Sequence, residues 1–167
     1  MNRALCPGTF DPVTCGHLDI IERVAGLYDT VTVAVALNPE KGGGPLFDVD
    51  TRVAMLQKAV EHLPNVDVRP FDSLLVKFAE EVGARVVVKG LRAVTDFERE
   101  FQMAQLNHRL ADRTETLFMM SVPEYAYLSS SAVKEIARHG GAVEGLVPPH
   151  VSAALRKRFA EAGKEGF

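Results

Sequence analysis

The run at residues 31–37, Val-Thr-Val-Ala-Val-Ala-Leu, constrains the fold more than any other stretch of the chain. Nearly every side chain in it is apolar and most are β-branched, so neither face has a polar side to offer to water. A strand of that kind is buried on both faces, as in a parallel sheet covered by helices. Ala4-Leu5-Cys6 and residues 66–69, 84–88 and 116–122 read as further strands, with amphipathic stretches between them. Alternating strands and helices predict an α/β architecture: one Rossmann-like parallel sheet with helices on both faces and right-handed crossovers, in a single domain spanning residues 1–167.

The helical stretches have clear periods and stops. Residues 18–25 read as the first helix, with Thr14 as a plausible N-cap. Residues 48–62 form the second, with Val49, Val53, Leu56 and Val60 at helical spacing and Pro64 ending it. Asp72 is expected to open a third, carrying Leu75, Phe78, Ala79 and Val82 on one face, with Gly83 closing it. Thr95 and Glu98 read as a capping box for a long helix through Leu110. That helix has two apolar stripes: Phe97, Phe101 and Ala104 on one, and Met103, Leu106 and Leu110 on the other. One stripe is expected to meet the core and the other a partner subunit. Two more helices follow, one beginning at Ser129-Ser130-Ser131 and stopped by Gly140-Gly141, the other started by Pro148-Pro149.

In a parallel sheet, ligands bind beyond the strand C-termini. The conspicuous loops all fall there: residues 7–17, 38–45, 89–92 and 122–131. They hold the cations Lys41, Lys89 and Arg92 and the neutral donors Thr9, His17, Ser129, Ser130 and Ser131. Two helix N-termini add unpaired backbone N–H groups, which attract anions. This inventory suits phosphates. Gly42-Gly43-Gly44 beside Lys41 predicts a mobile loop. His17 would sit in the first helical turn, where the helix dipole disfavours added positive charge, so a neutral imidazole donating to phosphate is one natural use. A tight turn with a capping threonine and a surface histidine is the plain alternative for that residue taken alone.

Other chemistries lack their motifs. The first strand is not followed by Gly-x-Gly-x-x-Gly, and neither a Gly-x-x-x-x-Gly-Lys-Ser/Thr loop nor a Gly-x-Ser-x-Gly elbow occurs. Cys6 and Cys15 flank the first loop without a metal-ligand pattern. Net charge is −3, which argues against a nucleic-acid surface, and no apolar run is long enough to span a membrane. With 47% hydrophobic and 25% charged residues the chain reads as a globular protein, with the cytoplasm as its expected compartment.

The loops also carry a family resemblance. Gly8-Thr9-Phe10-Asp11-Pro12 followed by Thr14-Cys15-Gly16-His17 resembles the signature of the nucleotidylyltransferase superfamily, Thr-x-Gly-His or His-x-Gly-His. Residues 89–98, Lys-Gly-Leu-Arg-Ala-Val-Thr-Asp-Phe-Glu, and 128–135, Leu-Ser-Ser-Ser-Ala-Val-Lys-Glu, are similar to the second and third signatures of the phosphopantetheine adenylyltransferases. The similarity covers nearly the whole chain. It implies transfer of the adenylyl group of ATP to 4′-phosphopantetheine, giving dephospho-coenzyme A and pyrophosphate, by in-line attack without a covalent intermediate.

The resemblance also implies residue roles. His17, Lys41 and Arg92 would be catalytic, His17 by stabilising the transition state. ATP would be held by Thr9, Phe10, His17, Gly90, Leu91, Arg92 and Glu100, and by Tyr125, Ala126, Tyr127, Leu128, Ser129, Ser130 and Ser131. Thr9, Lys41, Leu75, Lys89 and Asn107 would hold phosphopantetheine. Mg²⁺ would arrive with ATP rather than in a protein metal site, coenzyme A would inhibit, and the chain would assemble as a homo-oligomer, a hexamer. Lys89 stands where many members have arginine, and Cys6 where an aromatic is common. The motif around His17 alone also fits a sister enzyme acting on nicotinamide mononucleotide or glycerol phosphate; Lys89-Gly90-Leu91-Arg92 argues against that. A nucleotide-binding module without catalysis is the remaining alternative.

Overall fold

The computed structural model describes residues 2–37, 44–92 and 94–162. Five strands, β1 (Arg3–Gly8), β2 (Thr30–Ala36), β3 (Val66–Phe71), β4 (Val86–Leu91) and β5 (Glu115–Met120), form one sheet in the order β3-β2-β1-β4-β5. Every pairing is parallel. The order reverses between β1 and β4, and a crevice opens at that switch point beyond the strand C-termini.

Side-chain alternation sorts the core into two layers. On one face Ala4 and Cys6 of β1 join Val31, Val33 and Val35 of β2 and Val88 of β4 in the larger cluster. On the other, Leu5, Ala34 and Val87 meet Phe78, Ala79 and Val82. Helices α1 (Cys15–Ala25) and α2 (Val49–Ala59) cover the first face, together with α5 (Ser130–Arg138) and α6 (Pro149–Ala162). Helix α3 (Leu75–Glu81) covers the second and packs beside α4 (Val94–Leu110).

Local chemistry explains the element ends, with three departures from the sequence reading. Helix α3 begins at Leu75 after Leu74, with no side-chain cap, so Asp72 does not open it. Helix α4 begins at Val94, which places Thr95 inside the helix; the proposed cap's side chain lies outside the described residues. Strand β4 runs on through Lys89, Gly90 and Leu91, which pair with Phe118, Met119 and Met120. Those three residues reach the crevice as the end of a strand rather than as a loop.

The stripes on α4 also differ from expectation. Phe97 and Phe101 are 41% and 48% exposed, and Met103, Leu106 and Leu110 are 46%, 47% and 61% exposed. Neither stripe is buried by this chain. The helix lies over the β4–β5 edge of the sheet, where no further strand extends the surface beneath it. Phe97 instead stacks on Phe101 and meets Phe118 of β5 edge-on.

Candidate active site

A cavity of about 880 Å³ opens at the switch point. Its floor is the end of β1 and of β4, and its walls are the N-termini of α1 and α5. Gly90 leaves the floor close against α1, where a Cβ would stand a tight 3.1 Å from Cγ1 of Ile20. The chain leaves β1 by a sharp bend. Phe10 has a φ of 50°, an uncommon conformation for a bulky residue, and its ring folds back over Gly8, where a Cβ would come within 2.9 Å of it.

Thr14 caps α1, and His17 answers it. The Thr14 side-chain oxygen accepts from the His17 backbone N–H, and His17 Nδ1 accepts from the Thr14 backbone N–H at 3.0 Å. This is a capping box with histidine in the place usually held by Glu or Gln. Because Nδ1 accepts from a backbone amide, the neutral ring carries its proton on Nε2. That Nε2–H has no partner among the described residues, and His17 lines the cavity. Burial, and secondarily the charge on Arg92, holds the imidazole pKa down to about 4. The Phe10 ring meets the imidazole edge-on with centroids 5.1 Å apart. The arrangement yields a rigid, neutral donor at the positive end of a helix dipole.

Cations surround it. Lys89, Arg92, Arg99 and Lys134 all line the cavity. Arg92 donates to the Leu128 carbonyl, Lys89 pairs with Glu100 at 3.1 Å, and Lys134 pairs with Asp11 at 2.8 Å. Ser129 caps α5 by accepting from the Ala132 N–H, and Ser130 donates to the Pro12 carbonyl, tying the α5 N-terminus to the first loop. Among the described residues the acids lining the cavity are Asp11 and Glu100, each paired with a lysine. Cys6 also lines it, but burial pushes its thiol up to about 12, which keeps the sulfur protonated.

The residues singled out in the sequence divide by position. Thr9, Phe10, His17, Lys89, Gly90 and Arg92 line the cavity, as do Glu100, Tyr125, Leu128 and the three serines. Leu91, Ala126 and Tyr127 do not; Leu91 is buried in the sheet and Tyr127 is exposed. Leu75 packs with the second core cluster and Asn107 is buried on α4, both off the cavity wall. Lys41 and residues 38–43 lie outside the described residues.

Asp11, Arg99, Ser121 and Lys134 are polar lining side chains to which the sequence reading gave no role. Asp11 and Lys134 stand within the quoted signatures, and Arg99 adjoins Glu100, so proximity was a usable signal for them. Ser121 gave none. Its Oγ is buried with no hydrogen-bond partner among the described residues, on the cavity wall beyond β5.

Comparison with known proteins places this arrangement. The cytidylyltransferase-like family model matches residues 5–136. The phosphopantetheine adenylyltransferase of Symbiobacterium thermophilum is 55% identical over 96% of this chain and 98% of its own. That of Gloeobacter violaceus is 55% identical over 95% and 98%, and that of Carboxydothermus hydrogenoformans 47% over 98% and 99%. Among solved structures, a Vibrio parahaemolyticus protein designated a nicotinate-nucleotide adenylyltransferase superposes with a TM-score of 0.68 at 20% identity, covering 93% of this chain and 99% of that one. A lipopolysaccharide core biosynthesis protein of Thermoplasma volcanium gives 0.57 at 22% identity over 73% and 98%. At those identities the structures speak for the fold.

Proposed function

The chain belongs to the phosphopantetheine adenylyltransferases, within the cytidylyltransferase-like nucleotidyltransferases, and on that premise we propose how it transfers the adenylyl group of ATP to 4′-phosphopantetheine. The observation that carries the reading is His17: a neutral imidazole, locked by its Nδ1, its Nε2–H without a partner among the described residues, in a cavity where those residues place four cations and two helix N-termini.

The acceptor is a phosphate monoester, largely dianionic at neutral pH, so the attack needs no general base. The barrier is the approach of two polyanions and the charge that builds as pyrophosphate leaves, a task for positioning and electrostatic stabilisation. Thr9, His17 and the α1 and α5 N-termini meet the nucleotide phosphates, with Arg92 and Lys41 on the reacting groups and Lys89 on the acceptor phosphate. No thiolate is at hand for a covalent route through Cys6. Asp11 and Glu100 are both committed to lysines, and the described residues hold no cluster of three or more His, Cys, Asp or Glu that could hold a metal. The donor set therefore suits Mg²⁺ entering as part of the nucleotide substrate, where it neutralises phosphate charge.

Coenzyme A shares the product's pantetheine arm and nucleotide, which supports it as an inhibitor at the same cavity. The exposed stripes of α4 support a homo-oligomer, with a hexamer as the assembly. No helix among the described residues is long and apolar enough to cross a membrane, and the cytoplasm is the proposed compartment. The test is pyrophosphate release from ATP and Mg²⁺ with a panel of phosphorylated acceptors. Turnover with 4′-phosphopantetheine above all others is expected; turnover with nicotinamide mononucleotide or glycerol phosphate instead would overturn the reading.

A further inference from the structure

Arg52 is the most buried charged residue among those described, at 1% exposed, and it sits on α2, outside the cavity lining. Among the described residues its hydrogen bonds go to backbone carbonyls. Nη1 donates to Thr9 at 2.7 Å and to Ala36 at 2.9 Å; Nε donates to Phe47 at 3.0 Å and Nη2 to Leu37 at 3.4 Å. These carbonyls belong to three chain segments: the loop after β1, the end of β2, and the approach to α2. Asp11 fastens the same junction from the other side. Its carboxylate, 4% exposed, accepts from the Leu46 N–H at 2.8 Å, the Phe47 N–H at 2.9 Å and Lys134.

We infer that Arg52 is a positioning residue for adenylyl transfer: its guanidinium fixes the Thr9 backbone against the end of β2 and against Phe47. The inference rests on the proposed function, in which Thr9 meets the nucleotide phosphates. Two features separate it from a plain packing role. Desolvating a cation is costly, and packing alone would be met by an apolar side chain, so the guanidinium is held here for the carbonyls it orders. In addition, three of the four acceptors, Thr9, Ala36 and Leu37, lie at the sheet's C-terminal edge outside both core clusters, and Thr9 lines the cavity. The stretch carrying Lys41 begins after Leu37 and ends before Phe47, so both of its flanks are held by the one guanidinium. A planar fork can serve several carbonyls at fixed angles; an ammonium on a flexible stem cannot serve them all at once.

The experiment compares Arg52→Met and Arg52→Lys with Leu155→Ala, a core variant on α6 away from the cavity. Thermal midpoint, nucleotide Kd by calorimetry, and kcat for pyrophosphate release are measured below the midpoint of every variant. Misplacement of the phosphate loop predicts that kcat falls by about 10²-fold in Arg52→Met. Nucleotide Kd should stay within about threefold of wild type, with Arg52→Lys losing about fivefold or more in kcat. Leu155→Ala should lose midpoint with kcat unchanged. If Arg52→Met does not fold, the kcat of Arg52→Lys decides. The inference is overturned if the folded Arg52 variants behave as Leu155→Ala does, with a lower midpoint and kcat within about twofold of wild type. The ratio is read on whichever phosphorylated acceptor the wild type turns over, so the choice of acceptor tests the proposed function separately.

Discussion

The two ring nitrogens of His17 do different work, and substitution can separate them. Nδ1 completes the cap of α1, while Nε2–H is the donor offered to the cavity. Asparagine places an oxygen where Nδ1 stands and has nothing at the position of Nε2. His17→Asn should therefore keep the helix start and lose about 10²-fold or more in kcat, the scale of losing one preorganised donor. His17→Ala should match it in kcat and lose roughly 1 kcal/mol of stability as well, since the Thr14 N–H loses its partner. Near-normal kcat in either variant would remove His17 from the chemistry. A second expectation concerns pH. The imidazole titrates at about 4 in the folded chain, below its ordinary 6.5. Between those values the unfolded chain binds a proton that the folded chain does not, so stability is lost as pH falls from 6.5 towards 4. Wild-type midpoints should drop more steeply over that range than those of His17→Asn. The acidic limb of kcat/KM for the acceptor should then lie near pH 6, set by the acceptor's own second phosphate ionisation, and should persist in the asparagine variant. A limb that vanished with His17 would reassign it.

The end of β4 is the element that ties the sheet to α4 at the cavity wall. Lys89 is held in the ladder by Phe118 and reaches Glu100 on α4, with both side chains partly exposed. If the amine serves the acceptor phosphate, Lys89→Ala should weaken phosphopantetheine binding by about ten- to hundred-fold, the worth of roughly 1.5–3 kcal/mol for a charge-assisted hydrogen bond. ATP affinity should hold. Glu100→Gln supplies the contrast, since it frees the amine without removing it. Calorimetry giving equal losses of acceptor affinity in the two variants would reduce Lys89 to a tie between strand and helix. This strand also marks how far the sequence could be read. Its β-branched run through Val88 is legible, whereas Lys89 and Gly90 oppose strand propensity and are overridden by the ladder to β5. The loops at the strand ends were legible as a site because a parallel topology sends every strand C-terminus to one edge. Thr14 was legible as a cap, but the Nδ1 bond was not, because histidine is not the usual residue of a capping box. The hydrogen bonds of Arg52 and Asp11 were not legible. Their partners are amides and carbonyls distant in sequence, and hydrophobic periodicity carries no record of them.

At the scale of the whole molecule, the unburied face of α4 and β5 is where the proposed assembly is tested. Phe101, Leu106 and Leu110 on the helix and Met120 on the edge strand are each about half exposed or more. Both elements lie at the β5 edge of the sheet, and exposed apolar side chains grouped on one edge are what an interaction surface needs. The occupant that fits is a second copy of this chain, because the surface is apolar rather than strongly charged and because a homo-oligomer is the assembly proposed for the family. Sedimentation at micromolar concentration should then show an assembly. A stable interface of this kind buries on the order of 1,000 Å² or more. Assembly should also make the thermal midpoint rise with protein concentration, since only folded chains associate. Leu110→Glu places a charge on that face at a position the single chain leaves 61% exposed, so the subunit itself should still fold. The variant should sediment as a smaller species, and its midpoint should fall and lose its dependence on concentration. A wild-type monomer at micromolar concentration would contradict the assembly outright. An assembled wild type that Leu110→Glu leaves unchanged in size would move the interface to another face of the molecule.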